Sequence, residues 1–209
     1  MTSPNTVLFG DSITQGCGPG GGWFYEGNRS ASYPLSFLGP NMGVGGDQVT
    51  VGMQTRLPSV VSMVNAGRTV VVVEGGGNDL TNGKTAAQVI TGLTTIYQAL
   101  RAAGAIVIAT TVLPTTFIDT GSEQTEFAAV NAWIRPHATD TGLAHLIADW
   151  TTAMSSGSEW VPGSGLTVDG VHPSDAGWKV MGPVLAPKLV SAAAMLTTYR
   201  PSGIDGGSW

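Results

Sequence analysis

Two short segments at opposite ends of this 209-residue chain carry the side chains best suited to nucleophilic chemistry. Near the carboxyl end, Asp169 stands three residues before His172, and Pro173 and Ser174 follow, with Ser174 placed to cap a helix. This spacing lets one loop present a carboxylate beside an imidazole, which are two of the three groups of a hydrolytic triad. Near the amino end, Ser12 follows an apolar run and supplies a hydroxyl as the third group.

The position of Ser12 directly after a predicted strand favours a role in catalysis. A serine that opens a helix there exposes its hydroxyl above the sheet edge, and its own N–H faces an incoming oxyanion. The same Gly-Asp-Ser sequence also fits a plain helix N-cap. The nucleophile turn of α/β-hydrolases, G-x-S-x-G, is disfavoured because Thr14 stands where the second glycine belongs.

Two glycine-rich turns between these ends could supply hydrogen-bond donors. In the segment 41–47, Gly46 can turn its N–H into a cleft because it has no side chain to block the approach. In the segment 74–80, Asn78 can offer an amide N–H₂ to a developing oxyanion, while Asp79 braces the loop. Both segments also fit ordinary tight turns with no role in catalysis.

Other candidate groups are weaker. His137 follows a proline at a helix end and His145 leads into a predicted interior strand, and neither has a carboxylate in the same relation as Asp169 to His172. Cys17 has no strand end to position it, so a buried or loop thiol is expected. The glycines from Gly16 to Gly21 match a dinucleotide-binding pattern formally, but Pro19 interrupts them and they lie too far from the strand.

Short apolar runs alternate with segments of helical period, which predicts an α/β fold with a parallel sheet. A shorter strand is expected just before Asn41, and the other predicted strands are rich in Val, Ile and Leu: Thr6–Gly10, Thr69–Glu74, Ala105–Thr111 and His145–Asp149. The predicted helices are Thr85–Ala103, Glu123–Ile134 and Ser174–Met195. Pro183 and Pro187 are expected to bend or divide the last of these.

Three Gly- and Ser-rich loops follow strands and are expected at the carboxyl edge of the sheet, where open α/β folds place their ligands. They are Gly16–Ser36, Leu113–Ser122 and Thr151–Thr167. The length is typical of one domain over residues 1–209, with residues 198–209 as a C-terminal tail.

Composition excludes several function classes. Hydrophobic residues make up 42% of the chain and charged residues 11%, which fits a folded domain with an uncharged polar surface. The net charge of −5 and only nine Lys and Arg argue against a nucleic-acid partner. No membrane span is expected, because no apolar run approaches about 18–20 residues. The N-terminus has no signal pattern, so the chain is either cytoplasmic or secreted with its leader absent.

Taken together and in this order, the motifs resemble those of the SGNH (GDSL-like) hydrolases over nearly the whole chain. The segment Gly10–Ile13 is similar to the first block of that family, with Ile13 in place of leucine, and Asp169–His172 is similar to its last block. The resemblance implies a flavodoxin-like three-layer sandwich, with about five parallel strands and helices on both faces. It also implies Ser12, His172 and Asp169 as a triad, an oxyanion hole formed by Ser12, Gly46 and Asn78, and no cofactor or metal.

The substrate is expected to be a small-molecule or carbohydrate ester. Trp23 and Trp160 lie in predicted cleft loops and would suit sugars or aryl groups, although both could simply anchor the loops. A short-chain esterase that removes acetyl groups, including those of carbohydrates, is the favoured interpretation. A lipase or thioesterase for longer acyl chains, an acyltransferase and a non-catalytic carbohydrate-binding module are the alternatives, and the oligomeric state stays open.

Overall fold

A parallel sheet of five strands forms the centre of residues 5–16, 22–30 and 39–198, which the computed structural model describes. The strand order is 2-1-3-4-5. The strands are β1 (Asn5–Gly10), β2 (Asn41–Gly43), β3 (Thr69–Val73), β4 (Ile106–Thr110) and β5 (Leu146–Ala148). The order reverses between β1 and β3, so the loops after these two strands diverge and leave a crevice at the carboxyl edge. The predicted α/β fold is confirmed, and the four strands predicted with bounds agree within a residue at each end.

Helices cover both faces of the sheet. They are α1 (Ser12–Gln15), α2 (Trp23–Ser30), α3 (Gly52–Ser62), α4 (Gly77–Thr81), α5 (Ala86–Ala102), α6 (Gly121–Asp140), α7 (Trp150–Met154) and α8 (Asp175–Thr198). A two-stranded antiparallel ribbon, β6 (Ser155–Ser156) with β7 (Ser158–Pro162), lies outside the main sheet. Successive strand residues point to opposite faces, so Val7 and Phe9 join one apolar cluster with α3, α5 and α6, whereas Leu8 joins another with α2, α7 and α8.

The last helix, α8, is both long and apolar. By length and composition alone, its residues from Asp175 to Leu196 could cross a membrane. In the fold, Met181, Leu185 and Leu189 are fully buried against the sheet, so core packing accounts for the apolar character of this helix. The helix is not divided at Pro183 or Pro187, because both lie inside one continuous element.

Four sequence predictions about the elements were wrong. The second strand is Asn41–Gly43 itself rather than a segment before it. His145 leads into β5, which is an edge strand and not the interior strand that was predicted. The predicted loop Gly16–Ser36 contains α2, and part of it lies outside the described residues. The predicted loop Thr151–Thr167 contains most of α7 and the β6–β7 ribbon.

Tertiary packing explains why α2 was missed. Its sequence contains glycine and few strong helix formers, so local propensity does not favour a helix. A Cβ on Gly27 would lie 3.0 Å from the Leu185 side chain, and one on Gly182 would lie 2.5 Å from Glu26 Cβ. The two glycines therefore allow α2 and α8 to approach closely, and the buried contact stabilises a helix that the sequence pattern alone does not predict.

Candidate active site

Ser12 is the first residue of α1, at the carboxyl end of β1. The strand ends at Gly10, and Asp11 caps the short helix by accepting a hydrogen bond from the N–H of Ile13 at 2.9 Å. This sharp transition from strand to helix exposes the Ser12 hydroxyl at the sheet edge. Ser12 Oγ lies 2.9 Å from His172 Nε2.

Asp169 and His172 form the other half of this hydrogen-bonded chain. His172 Nδ1 lies 2.7 Å from Asp169 Oδ2. An ionised carboxylate can only accept hydrogen bonds, so Nδ1 carries the hydrogen and Nε2 presents its lone pair to the Ser12 hydroxyl. The predicted neighbours are therefore brought together in the arrangement that nucleophilic activation of a serine requires.

The turn between the acid and the imidazole is fixed by its own backbone. Asp169 Oδ1 accepts the N–H groups of Val171 at 3.0 Å and of His172 at 2.8 Å. Gly170 adopts φ +86°, and a Cβ there would lie 2.1 Å from Thr116 Oγ1, so this position needs glycine. The N–H of Thr116 also donates to the Gly170 carbonyl at 3.0 Å, which ties the turn to the loop after β4.

The flanks of this turn are paired with each other. The N–H of Val168 donates to the His172 carbonyl at 2.9 Å, and the N–H of Ser174 donates to the Leu166 carbonyl at 2.9 Å. Ser174 Oγ then accepts the N–H of Gly177 at 3.2 Å, so it caps α8 as predicted. The acid and the imidazole are thus held by a small closed loop rather than by a free segment.

The hydrogen bond from His172 lowers the pKa of Asp169 to about 2, with the N–H groups of His172 and Val171 adding to the effect. Asp169 therefore stays ionised at neutral pH. Its side chain is 52% exposed and that of His172 is 43% exposed, so solvent screens part of their attraction.

Gly46 lies in the loop after β2 and lines the same cavity as Ser12. It adopts φ +74°, and a Cβ there would meet no atom within 4 Å, so the backbone conformation and not space favours glycine. Among the described residues, no acceptor is paired with the backbone N–H of Gly46 or of Ser12. Two unpaired backbone donors at one cavity wall are suited to binding an oxyanion.

The loop that carries Gly46 is anchored by Arg56 of α3. Arg56 Nε donates to Asp47 Oδ2 at 2.8 Å, Nη1 donates to the Met42 carbonyl at 2.5 Å, and Nη2 donates to the Gly10 carbonyl at 3.1 Å. One guanidinium therefore joins the ends of β1 and β2 to the residue that follows Gly46. Sequence reasoning missed Arg56, because no helix was predicted in this part of the chain.

Asn78 lies at the start of α4, and both hydrogens of its amide are engaged. Nδ2 donates to Asp11 Oδ2 at 3.1 Å and to the Asp47 carbonyl at 3.0 Å. Asn78 lines the cavity, but one of these bonds must be shared or exchanged before it can donate to a substrate. The Asp79 carboxylate joins this loop to the turn before α3 rather than bracing its own loop, because it accepts the N–H groups of Val49 at 2.8 Å and Thr50 at 3.0 Å.

A buried pair of acids lies beneath this region, and sequence reasoning assigned it no role. Asp11 is 2% exposed and Glu74 is 4% exposed. Burial raises the pKa of Asp11 and raises that of Glu74 well above its usual range, and the charge of Asp11 adds to the shift of Glu74. A glutamate at the end of an otherwise apolar strand was the available signal.

A cavity of about 390 Å³ opens above the Ser12 hydroxyl. One part of its lining is apolar and the other polar: Ile13, Leu113, Pro114, Phe117 and Val171 against Asp11, Ser12, Glu74, Asn78, Thr81, Thr115 and His172. Within the described ranges, no three His, Cys, Asp or Glu side chains are grouped so that they could hold a metal ion.

The structure does not bring the two predicted substrate-binding tryptophans to this cavity. Trp23 is fully buried and packs against Trp150 with ring centroids 4.9 Å apart, so the prediction that it contacts substrate was wrong. Trp160 packs at the edge of the apolar cluster under α6 and is not part of the cavity lining. Among the described residues, Phe117, which is 58% exposed, contributes a phenyl ring to the cavity lining. Cys17 lies outside the described residues, and so does the side chain of His137.

Residues 8–180 match the model of the GDSL-like lipase/acylhydrolase family. The chain belongs to this family. It is therefore an ester-hydrolysing enzyme, and the resemblance predicted from the motifs is confirmed. No curated protein gives a significant match.

Solved structures with the same fold include a GDSL-like lipase from Bacteroides thetaiotaomicron, with 20% identity, a TM-score of 0.71, and coverage of 90% of this chain and 89% of that one. A carbohydrate esterase of family 3 from Talaromyces cellulolyticus has 22% identity and a TM-score of 0.67, with coverage of 96% and 100%. An acetyl-xylooligosaccharide esterase from Geobacillus has 19% identity and a TM-score of 0.71, with coverage of 90% and 94%. These similarities bear out the predicted five-stranded α/β sandwich.

Proposed function

We propose that this enzyme hydrolyses short-chain acyl esters, in particular acetyl esters of carbohydrates, through Ser12 as nucleophile. The observation that carries the proposal is the continuous chain from Ser12 Oγ through His172 to Asp169, with separations of 2.9 and 2.7 Å, beside a cavity that a small ester can enter. Each member has the partner that its role requires.

The reaction proceeds in two steps. Ser12 Oγ attacks the ester carbonyl while His172 Nε2 takes the hydroxyl proton, and the same imidazolium then protonates the leaving alcohol. Water attacks the acyl-enzyme with His172 again as the base, which releases the acid and restores Ser12. Asp169 stays ionised, fixes the imidazole tautomer and stabilises the imidazolium.

The oxyanion that forms in each step is stabilised by the N–H groups of Ser12 and Gly46. Asn78 acts as the third donor when the oxyanion competes with Asp11 for one amide hydrogen. Loss of one such donor typically costs about 10²–10³ in turnover.

The size and lining of the cavity support a small acyl group. Its volume of about 390 Å³ lies at the lower end of the range for small-molecule sites. Phe117 at the rim offers an aromatic face for a sugar or aryl alcohol, and two similar structures are of carbohydrate esterases. The apolar part of the lining, which includes Leu113 and Pro114, also supports a second candidate function, a lipase for longer acyl chains.

A Ser12→Ala variant tests the nucleophile. We expect its turnover of p-nitrophenyl acetate to fall by at least about 10³-fold, since removing the nucleophile removes the covalent route. A fluorophosphonate should label the native enzyme at Ser12 and leave the variant unlabelled. Turnover equal to that of the native protein would rule out the assignment.

A series of p-nitrophenyl esters from two to twelve carbons tests the acyl preference, and acetylated xylo-oligosaccharides test the alcohol. We expect kcat/KM to be highest for the two- to four-carbon acyl groups. A maximum at ten carbons or more would support the lipase instead. Adding a sugar acceptor to the same assay separates hydrolysis from acyl transfer, because transfer yields an acylated sugar.

A further inference from the structure

Glu74 follows β3 and its carboxyl group reaches the segment that carries the nucleophile. Glu74 Oε2 accepts a hydrogen bond from the Thr14 hydroxyl at 2.8 Å and one from the N–H of Asp11 at 3.3 Å. It therefore contacts the turn of α1 on both sides of Ser12. The group lines the cavity floor, yet the proposed reaction gives it no step.

The backbone leaves no space between Glu74 and this segment. A Cβ on Gly10 would lie 2.6 Å from Glu74 Oε2 and 2.3 Å from Thr14 Oγ1. Any side chain at Gly10 would push the carboxyl group away. The absence of a side chain at this position thus lets a buried carboxyl group pack directly against the turn that begins at Ser12.

The carboxyl groups of Glu74 and Asp11 are close neighbours, because Glu74 Oε2 accepts the N–H of Asp11 at 3.3 Å and both groups are almost fully buried. A hydrogen bond between two carboxyl groups requires a hydrogen on one of them. The groups around the Asp11–Glu74 pair include both positive and negative charges. His172 favours charge on Asp11, Asp79 opposes it, and the guanidinium of Arg56 lies nearby on the Gly10 carbonyl beside its partner Asp47. Because both acids are almost fully buried, the pair holds one negative charge rather than two.

The hydrogen that Glu74 and Asp11 share also affects the proposed oxyanion hole, because Asp11 accepts a hydrogen bond from the Asn78 amide. The amide must release or share the hydrogen that Asp11 accepts before it can donate to an oxyanion. A pair with two charges would hold the amide tightly and would repel the oxyanion. A carboxylic acid on Glu74 that donates to Asp11 weakens Asp11 as an acceptor and leaves the amide able to turn toward the substrate.

We propose that Glu74 is a positioning residue that acts as a neutral carboxylic acid, donating to Asp11 and thereby setting how firmly Asp11 holds Asn78. This inference rests on the proposed function, because it assumes that Asn78 serves the oxyanion. No bond of the substrate is made or broken at Glu74.

A glutamine at position 74 reproduces the neutral acid, because its N–H₂ can donate to Asp11 and its carbonyl can accept from Thr14 and the N–H of Asp11. We therefore expect Glu74→Gln to keep kcat on p-nitrophenyl acetate within about threefold. Glu74→Leu removes the donor and both acceptor contacts, and its kcat is expected to fall by about 10- to 100-fold with KM little changed. Glu159→Gln, at a surface carboxylate paired with Arg135, is the matched control and is expected to match the native enzyme.

Circular dichroism and thermal unfolding confirm that each variant is folded, and Glu74→Gln keeps the test valid if Glu74→Leu does not fold. A Glu74→Gln variant that loses tenfold or more in kcat would overturn the proposal, since it would show that a charged carboxylate is needed. A folded Glu74→Leu variant with native kcat would also overturn it. Failure of the proposed function is distinct, because the native enzyme itself would then neither turn over the ester nor react with a fluorophosphonate.

Discussion

At the scale of the residue, Asp169 uses its two oxygens for different purposes. Oδ1 accepts the two backbone N–H groups that shape the turn, and Oδ2 accepts the hydrogen of His172 Nδ1. The same carboxylate therefore shapes the loop and selects the tautomer of His172, the proposed base. A substitution that keeps the shape of the Asp169 side chain but removes its charge can separate its effect on catalysis from its effect on the loop.

Asp169→Asn is such a substitution. We expect kcat on p-nitrophenyl acetate to fall by about 10²–10⁴-fold, because an amide cannot stabilise the imidazolium and can favour the wrong tautomer. Asp175→Asn, an exposed carboxylate in the first turn of α8, is the control and is expected to keep native kcat. A native rate for Asp169→Asn would contradict the proposed role.

Gly46→Ala separates backbone conformation from space. The φ of +74° makes alanine unfavourable by about 1 kcal/mol, and the new methyl group meets no atom within 4 Å. Gly142→Ala is a matched control, with φ +67°, equally open surroundings and a place at the end of α6 away from the cavity. We expect both variants to lose a similar amount of stability in urea.

Only Gly46→Ala should lose activity, by about 10-fold or more in kcat, because a backbone that relaxes its φ turns the N–H away from the oxyanion. Equal activities for the two variants would remove Gly46 from the proposed oxyanion hole.

At the scale of the element, three separate segments meet on one guanidinium. Arg56 binds the carbonyls at the ends of β1 and β2 and the carboxylate of Asp47, and its guanidinium carbon lies 5.1 Å from the centroid of the Phe9 ring. Because β1 and β2 are neighbours in the parallel sheet, these ends lie side by side at its carboxyl edge. Arg56 then fixes the distance between the Ser12 turn and the Gly46 loop.

We expect Arg56→Ala to lower the free energy of unfolding by about 2–4 kcal/mol, because the side chain of Asp47 is only 7% exposed and would lose its partner. Its kcat should fall as well, since the two N–H groups proposed for the oxyanion hole, those of Ser12 and Gly46, lie next to the segments that Arg56 joins. Arg68→Ala, at an exposed arginine, should change stability by no more than about 0.5 kcal/mol. Urea denaturation measures both, and equal effects would contradict this account of Arg56.

The sequence was sufficient for those parts of the site that depend on short spacing. The three-residue separation of Asp169 and His172 defines a closed turn, and a serine after an apolar strand must lie at the sheet edge, so the hydrogen-bonded chain could be predicted. Contacts that cross from one strand to another could not. Glu74 and Asp11 are 63 residues apart, and Arg56 and Gly10 are 46 apart, so neither contact leaves a local pattern. Trp23 was misplaced for the same reason, because burial in α2 depends on the approach of α8.

At the scale of the whole molecule, the side chain of His145 links the edge strand β5 to its neighbour β4. The N–H of Val107 in β4 donates to His145 Nδ1 at 2.9 Å, directly before β5 begins. Burial, and then the charge of Arg101, lowers the pKa of His145 to about 4. The imidazole of His145 is therefore neutral in the folded protein at neutral pH.

This arrangement predicts a loss of stability in mild acid. Between about pH 6.5 and pH 4 the unfolded chain binds a proton at His145 that the folded chain does not, so the contribution of His145 is complete above that window and is lost as pH falls through it. Urea denaturation of the native enzyme and of His145→Asn should show a difference in unfolding free energy that is larger at pH 7 than at pH 4.5. A difference that stays constant would rule out this linkage.

The bond between Ser12 and His172 joins residues that are 160 positions apart, and the loop that carries His172 is held by a few backbone bonds at the surface. Partial opening of such a loop costs less free energy than unfolding of the sheet. As urea is added, the reactivity of Ser12 should therefore be lost at a lower concentration than the secondary structure. In dilute urea, fluorophosphonate labelling of Ser12 is expected to decline while the far-ultraviolet circular dichroism signal is still native, so the enzyme would lose its chemistry before it loses its fold.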